Sequence, residues 1–66
     1  MYMETAAFLR LLGDSTRLRL LRLLSLESLN VSELTAVLGV AQSGVSRHLG
    51  LLRDAGLVSE ERSGAF

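Results

Sequence analysis

Gly39 lies between two segments of helical periodicity, and that arrangement constrains the fold of this chain more than any other feature. Before it come Leu34, Val37 and Leu38; after it come Val45, Leu49 and Leu52, spaced four and then three apart. Such spacing stacks each set on one side of a helix. Two helices joined by a turn of three or four residues that contains glycine form the helix-turn-helix pattern, here over residues 32–55. In that pattern the second helix is the one that enters the DNA major groove.

Unrolled at about 100° per residue, the second helix divides cleanly. Val45, Leu49 and Leu52 fall on one side, while Gln42, Ser43, Ser46, Arg47, Gly50 and Arg53 share an opposite arc of about 140°. Glutamine pairs bidentately with adenine, arginine with guanine, and serine with bases or phosphate, so this arc carries the side chains that read DNA. A polar arc alone is the default for any surface helix. The preceding helix and the glycine turn are what favour the DNA reading. His48, the only histidine, falls on the flank of the apolar side, where a packed, hydrogen-bonded role is favoured over a phosphate contact.

Four blocks in order resemble the ArsR-type winged-helix repressors, the ArsR/SmtB family. They are Leu12-Gly13-Asp14-Ser15-Thr16-Arg17-Leu18-Arg19, Asn30-Val31-Ser32-Glu33-Leu34, Ser43-Gly44-Val45-Ser46-Arg47-His48-Leu49 and Leu52-Arg53-Asp54-Ala55-Gly56-Leu57-Val58. The resemblance spans nearly the whole chain. It implies a mostly α winged helix-turn-helix, with residues 1–66 forming one DNA-binding domain of four helices and a truncated β-wing. The implied function is that of a sequence-specific transcriptional regulator, a homodimeric repressor of a palindromic operator in double-stranded DNA, released by an inducer. The family's third helix often carries a cysteine-containing metal motif. The matching stretch here, Asn30–Leu34, has no thiol, so a metal site of that kind is contradicted.

The elements are expected in this order. Residues 4–12 form a first helix with an apolar stripe of Ala7, Phe8, Leu11 and Leu12, ended by Gly13. In ArsR-type proteins this helix helps build the dimer, which makes Phe8, Leu9 and Leu12 the candidate dimer interface; ordinary core packing is the equal alternative. Asp14 or Ser15 caps a second helix running to about Ser25, with Leu18, Leu21 and Leu24, or Leu20, facing inward. Arg17, Arg19 and Arg22 read as a solvated face with ion pairs to Asp14 rather than as phosphate contacts. Asn30 caps a third helix over 31–38, with Glu33 completing a capping box, and Ser32 and Thr35 are placed to meet phosphate. Gly39 takes the left-handed turn position. Ala41 stands where the family commonly has a Ser or Thr cap, so Ser43 is the candidate cap one turn in. Gly50 replaces a residue that is often lysine in the family. Gly56 ends the recognition helix. Residues 57–62 then read as a strand and Ser63-Gly64 as a turn, the first half of a wing whose basic candidate is Arg62, opposed by Glu60 and Glu61.

The 66 residues carry seven arginines, no lysine and seven acids, a formal net charge of zero. That balance argues mildly against nucleic acid as a partner. Local potential is not decided by the sum, however, because Asp14, Glu27 and Glu33 need not share the face of Arg47 and Arg53. With 48% hydrophobic residues and 5% aromatic, a domain this small has more leucine than it readily hides, which favours a second copy as partner. The absence of cysteine removes disulfide and thiolate chemistry and suits a cytoplasmic protein. Arginines interrupt every apolar run, so no membrane partner is expected. No paired acids, nucleophile with its base, or phosphate-binding glycine loop is present, so neither enzyme activity nor a cofactor is expected. The alternative function is a winged-helix protein-interaction module or the regulatory head of a larger enzyme, which zero charge and an acidic wing favour.

Overall fold

Among the described residues, two of the four helices begin at a residue whose side chain accepts a backbone N–H of the first turn. The computed structural model describes residues 4–66. Within it the elements run α1 (Thr5–Leu12), α2 (Ser15–Leu26), α3 (Val31–Leu38) and α4 (Gln42–Asp54). The Asp14 carboxylate accepts the Arg17 backbone N–H at 3.0 Å and starts α2. Asn30 and Glu33 form the complete capping box of α3: the Asn30 side chain accepts from Glu33 N at 2.8 Å, and the Glu33 carboxylate accepts from Asn30 N at 3.0 Å. Gly39, at φ 67° and ψ 26°, closes α3 in the left-handed region. A side chain there would be strained, so the turn into α4 depends on glycine.

α4 begins at Gln42 without a side-chain cap; Ala41 is its N-cap residue, and Ser43 does not take over that role. Its other end is firm. Gly56 N donates to Arg53 O at 2.9 Å and Leu57 N to Leu52 O at 2.9 Å, with Gly56 at φ 78°. This is a Schellman closure, and it turns the chain back so that Leu57 packs against the core.

Leu11, Leu20, Leu29, Leu34, Leu38, Val45, Leu49 and Leu52 form the buried core. Five of them, Leu20, Leu34, Val45, Leu49 and Leu52, are fully enclosed. They come from α2, α3 and α4, so the helix-turn-helix is seated on α2. The inward phase of α2 is set by Leu20 rather than Leu18, which is 50% exposed; Leu21 and Leu24 are half-buried. In a helix whose leucines lie on most sides, periodicity leaves the phase open and packing decides it.

Residues 57–62 are not a strand. A strand needs a ladder partner for its backbone groups, and no neighbouring strand is present among the described residues. Instead the chain turns at 61–64, where Gly64 N donates to Glu61 O at 2.9 Å with Gly64 at φ 89°. It then pairs with the segment before α3: Phe66 N donates to Leu29 O at 2.9 Å, Leu29 N to Phe66 O at 3.3 Å, and Asn30 bridges Ala65 in antiparallel sense. The only β-pairing among the described residues therefore lies at the start of α3.

Leu49 is central to the seat of α4, at 1% exposure. Leu49→Ala is expected to lower the unfolding free energy by about 2–5 kcal/mol, the range for a fully buried leucine. Urea denaturation followed by circular dichroism checks this. A loss below about 1 kcal/mol would place Leu49 outside the core.

Candidate nucleic-acid interface

Because Val45, Leu49 and Leu52 are drawn inward, the opposite arc of α4 is turned out. Gln42, Ser43, Ser46, Arg47 and Arg53 are all exposed, and Gly50 is half-buried between them. A methyl group on Gly50 would meet nothing closer than the Arg53 guanidinium at 3.9 Å. The small residue thus leaves an open notch on the arc rather than filling a tight contact.

The two arginines of the arc differ. Arg47 forms no ion pair among the described residues. Arg53 lies 3.4 Å from a Glu60 carboxylate oxygen and 3.6 Å from an Asp54 oxygen, both exposed pairs of small energetic weight. The acids that share the arginine face are therefore Asp54 and Glu60. Neither acid was expected on that face from the sequence; Glu60 reaches Arg53 because the chain folds back after Gly56.

On α3, Ser32 is exposed, whereas the Thr35 hydroxyl is buried without a hydrogen-bond partner. The two residues proposed to flank the recognition helix are thus not equally presented. Arg62 is exposed on the 61–64 turn, and Glu61 beside it accepts from the Ser28 hydroxyl at 3.3 Å. On α1, Leu9 is 60% exposed, while Phe8 and Leu12 are half-buried.

Arg17 departs from the sequence expectation. Its side chain is not part of a solvated face paired with Asp14. The guanidinium donates to the backbone oxygens of Leu11 (2.5 Å) and Arg10 (3.3 Å), and meets His48 Nδ1 at 3.1 Å. Arginine only donates, so Nδ1 is the acceptor and the ring hydrogen sits on Nε2. His48 is 9% exposed and is the one polar residue of the core, packed and hydrogen-bonded as its place on the wheel predicted. Only the spacing of Asp14 and Arg17 marked this corner in the sequence.

The Arg17 backbone N–H holds the Asp14 carboxyl below its ordinary 3.8; desolvation opposes the shift, and the Arg17 charge adds to it. A carboxyl depressed in the folded state stabilises the fold fully above its unfolded value, and that stabilisation is lost as pH falls through the folded value. The melting temperature is therefore expected to drop on acidification below about pH 4. Asp14→Asn keeps a capping oxygen and should flatten that acid limb, while Asp14→Ala should lower the melting temperature at neutral pH as well. Thermal melts of the three proteins between about pH 2 and pH 7 check this, and identical acid limbs would remove Asp14 from the account.

Residues 14–60 match the model of the family described as bacterial regulatory protein, arsR family. The chain is 43% identical over 56 residues to the arsenic resistance transcriptional regulator ArsR1 of Pseudomonas putida, covering 83% of this chain and 44% of that protein. It is 43% identical over 58 residues to the arsenical resistance operon repressor of Escherichia coli, covering 86% and 50%. With the transcriptional repressor SmtB homolog of Synechocystis it shares 39% over 61 residues, covering 92% and 46%. The chain thus spans about half the length of the curated relatives it matches. No solved structure matches it. With its four helices and its helix-turn-helix core, the chain belongs to the arsR family of bacterial regulatory proteins.

Proposed function

We propose that this chain is the DNA-reading part of a transcriptional repressor, and that it works as a homodimer on a palindromic operator. The observation that carries the reading is the exposed arc of α4, where Gln42, Ser43, Ser46 and Arg47 stand opposite a fully buried apolar face. Arg47, with no carboxylate partner among the described residues, is the side chain assigned to a guanine edge. Gln42, Ser43 and Ser46 complete the base-facing set, and Arg53, Arg62 and Ser32 are assigned to the backbone; Thr35, also expected from the sequence to meet phosphate, is left out because its hydroxyl is buried. Arg53 reaches phosphate by exchanging Glu60 for it, a small barrier at an exposed pair.

Arg47→Ala is expected to weaken binding to a selected operator by about 1–3 kcal/mol with little change in melting temperature. Electrophoretic mobility shift titrations at fixed salt measure it, and wild-type affinity in the variant would mean the recognition face is misassigned.

The dimer reading rests on size and surface. The folded body measures 32 × 24 × 22 Å, and the two half-sites of a palindrome lie about 34 Å apart, so one chain occupies one half-site. Leu9, with Phe8 and Leu12 beside it, is the apolar surface assigned to the second copy. Sedimentation velocity over a concentration series should show self-association that Leu9→Glu abolishes. A monomer at high concentration that still binds a single half-site tightly would defeat the dimer.

An inducer that releases DNA belongs to the same reading. Two of the relatives are named for arsenic resistance. Within these 66 residues there is no cysteine, so a thiophilic ion would find no thiolate here, and the described residues hold no cluster of three metal-binding side chains. The second reading is a protein-docking module, favoured by the zero net charge and the Arg53–Glu60 pair. The DNA titration separates the two.

A further inference from the structure

We propose that Arg17 is a positioning residue for DNA recognition: one guanidinium ties α4, through His48 Nδ1, to the C-terminal carbonyls of α1. The inference rests on the reading of α4 as the recognition helix.

Three acceptors from two elements converge on this side chain: Leu11 O and Arg10 O at the end of α1, and His48 Nδ1 in the middle of α4. These carbonyls lie in the last turn of α1, where a cation is favoured; Arg10 O also accepts from Gly13 N at 3.2 Å. No other side chain among the described residues hydrogen-bonds α1 to α4. The guanidinium is planar with a fixed fork of donors, so satisfying all three acceptors sets a direction as well as a distance.

Direction is what the apolar seat lacks. Val45, Leu49 and Leu52 decide which side of α4 faces inward. Dispersion contacts, however, are weakly directional, and a helix can roll on a leucine bed at small cost. Side-chain tips lie about 6 Å from the helix axis, so a roll of about 10° carries them through about 1 Å. Base readout tolerates about half that displacement. His48 sits next to Arg47 on the flank of the apolar face, where a directional hydrogen bond resists a roll most directly. Because α1 also carries exposed Leu9, the same tie links the surface assigned to a second copy with the orientation of the reading face.

The test takes duplexes enriched from a random library by the wild-type chain, with poly(dI-dC) as the nonspecific duplex. Arg17→Met and His48→Leu are expected to lower the ratio of specific to nonspecific affinity about tenfold or more, with the salt slope of nonspecific binding unchanged. His48→Asn, whose Oδ1 stands on Cγ as Nδ1 does and can accept in its place, should retain most of the ratio. Arg17→Lys, with the charge but not the fork, should not. Proton–nitrogen multiple-bond spectra read the single imidazole directly: the Nε2–H tautomer in the wild type, a tautomer mixture in Arg17→Met. A nonspecific salt slope reduced by about 0.9 in Arg17→Met but kept in Arg17→Lys and His48→Leu would assign Arg17 to a phosphate and overturn the proposal. Folded variants with an unchanged ratio would overturn it as well. If Arg17→Met fails to fold by circular dichroism, the contrast between His48→Asn and His48→Leu decides. A wild-type chain that enriches no sequence refutes the DNA reading and this role with it, while the imidazole spectrum still reports the tie itself.

Discussion

Everything on the surface of this domain follows from how α4 is seated. Val45, Leu49 and Leu52 are fully buried against Leu20 of α2 and Leu34 of α3. A buried valine or leucine contributes about 1.5–3 kcal/mol relative to exposure, and three such side chains at one interface outweigh the propensity penalty of the two glycines inside α4, about 1 kcal/mol each. The helix therefore forms although Gly44 and Gly50 interrupt it and no side chain caps its start. Once the apolar side is fixed inward, the polar arc has only one direction to face. The exposed arc is a consequence of the core, and the left-handed Gly39 supplies the angle at which the second helix meets the first.

That causal order explains why the exposed arc of α4 was legible before the structure. Period and glycine placement decide helix phase when a helix has one clear apolar stripe, and α4 has one. The capping box at Asn30 and Glu33 was legible for a different reason: it is local, closed within four residues, and indifferent to the rest of the fold. α2 lacks both advantages. Leucines at 18, 20, 21, 23 and 24 cover most of its circumference, so the wheel cannot choose among them. Only packing selects Leu20 and leaves Leu18 outside.

Two features were illegible because their partners are distant in sequence. A strand over 57–62 satisfied alternation and propensity, but strands are defined by what they pair with. Here the backbone of Leu57 is spent on closing α4, and pairing begins only at Ala65–Phe66 with Leu29–Asn30, more than thirty residues away. Arg17 is the same problem in side-chain form. On its own helix it looks like one of three surface arginines. Its acceptors lie six or seven residues upstream and thirty-one residues downstream. Long side chains with many donors are the residues whose role periodicity describes least well, because their reach exceeds the helix they stand on.

The charge balance carries the last step. A net charge of zero would be a weak foundation for DNA binding if the charges were spread evenly. They are not. Among the described residues, Glu60 and Asp54 engage Arg53, Glu4 engages Arg10, and Arg47 keeps no carboxylate at all. The arc therefore offers one unpaired guanidinium and one held by exposed acids that phosphate can displace. Each phosphate neutralised contributes about 0.9 to the salt slope, so one chain with so few contacts has little sequence-independent affinity to hold it on DNA. A surface of that kind discriminates by its base contacts or not at all. On the proposed dimer reading it would gain strength by being doubled on a two-fold site rather than by adding charge. Near-neutrality and the exposed Leu9 are both consistent with that proposal.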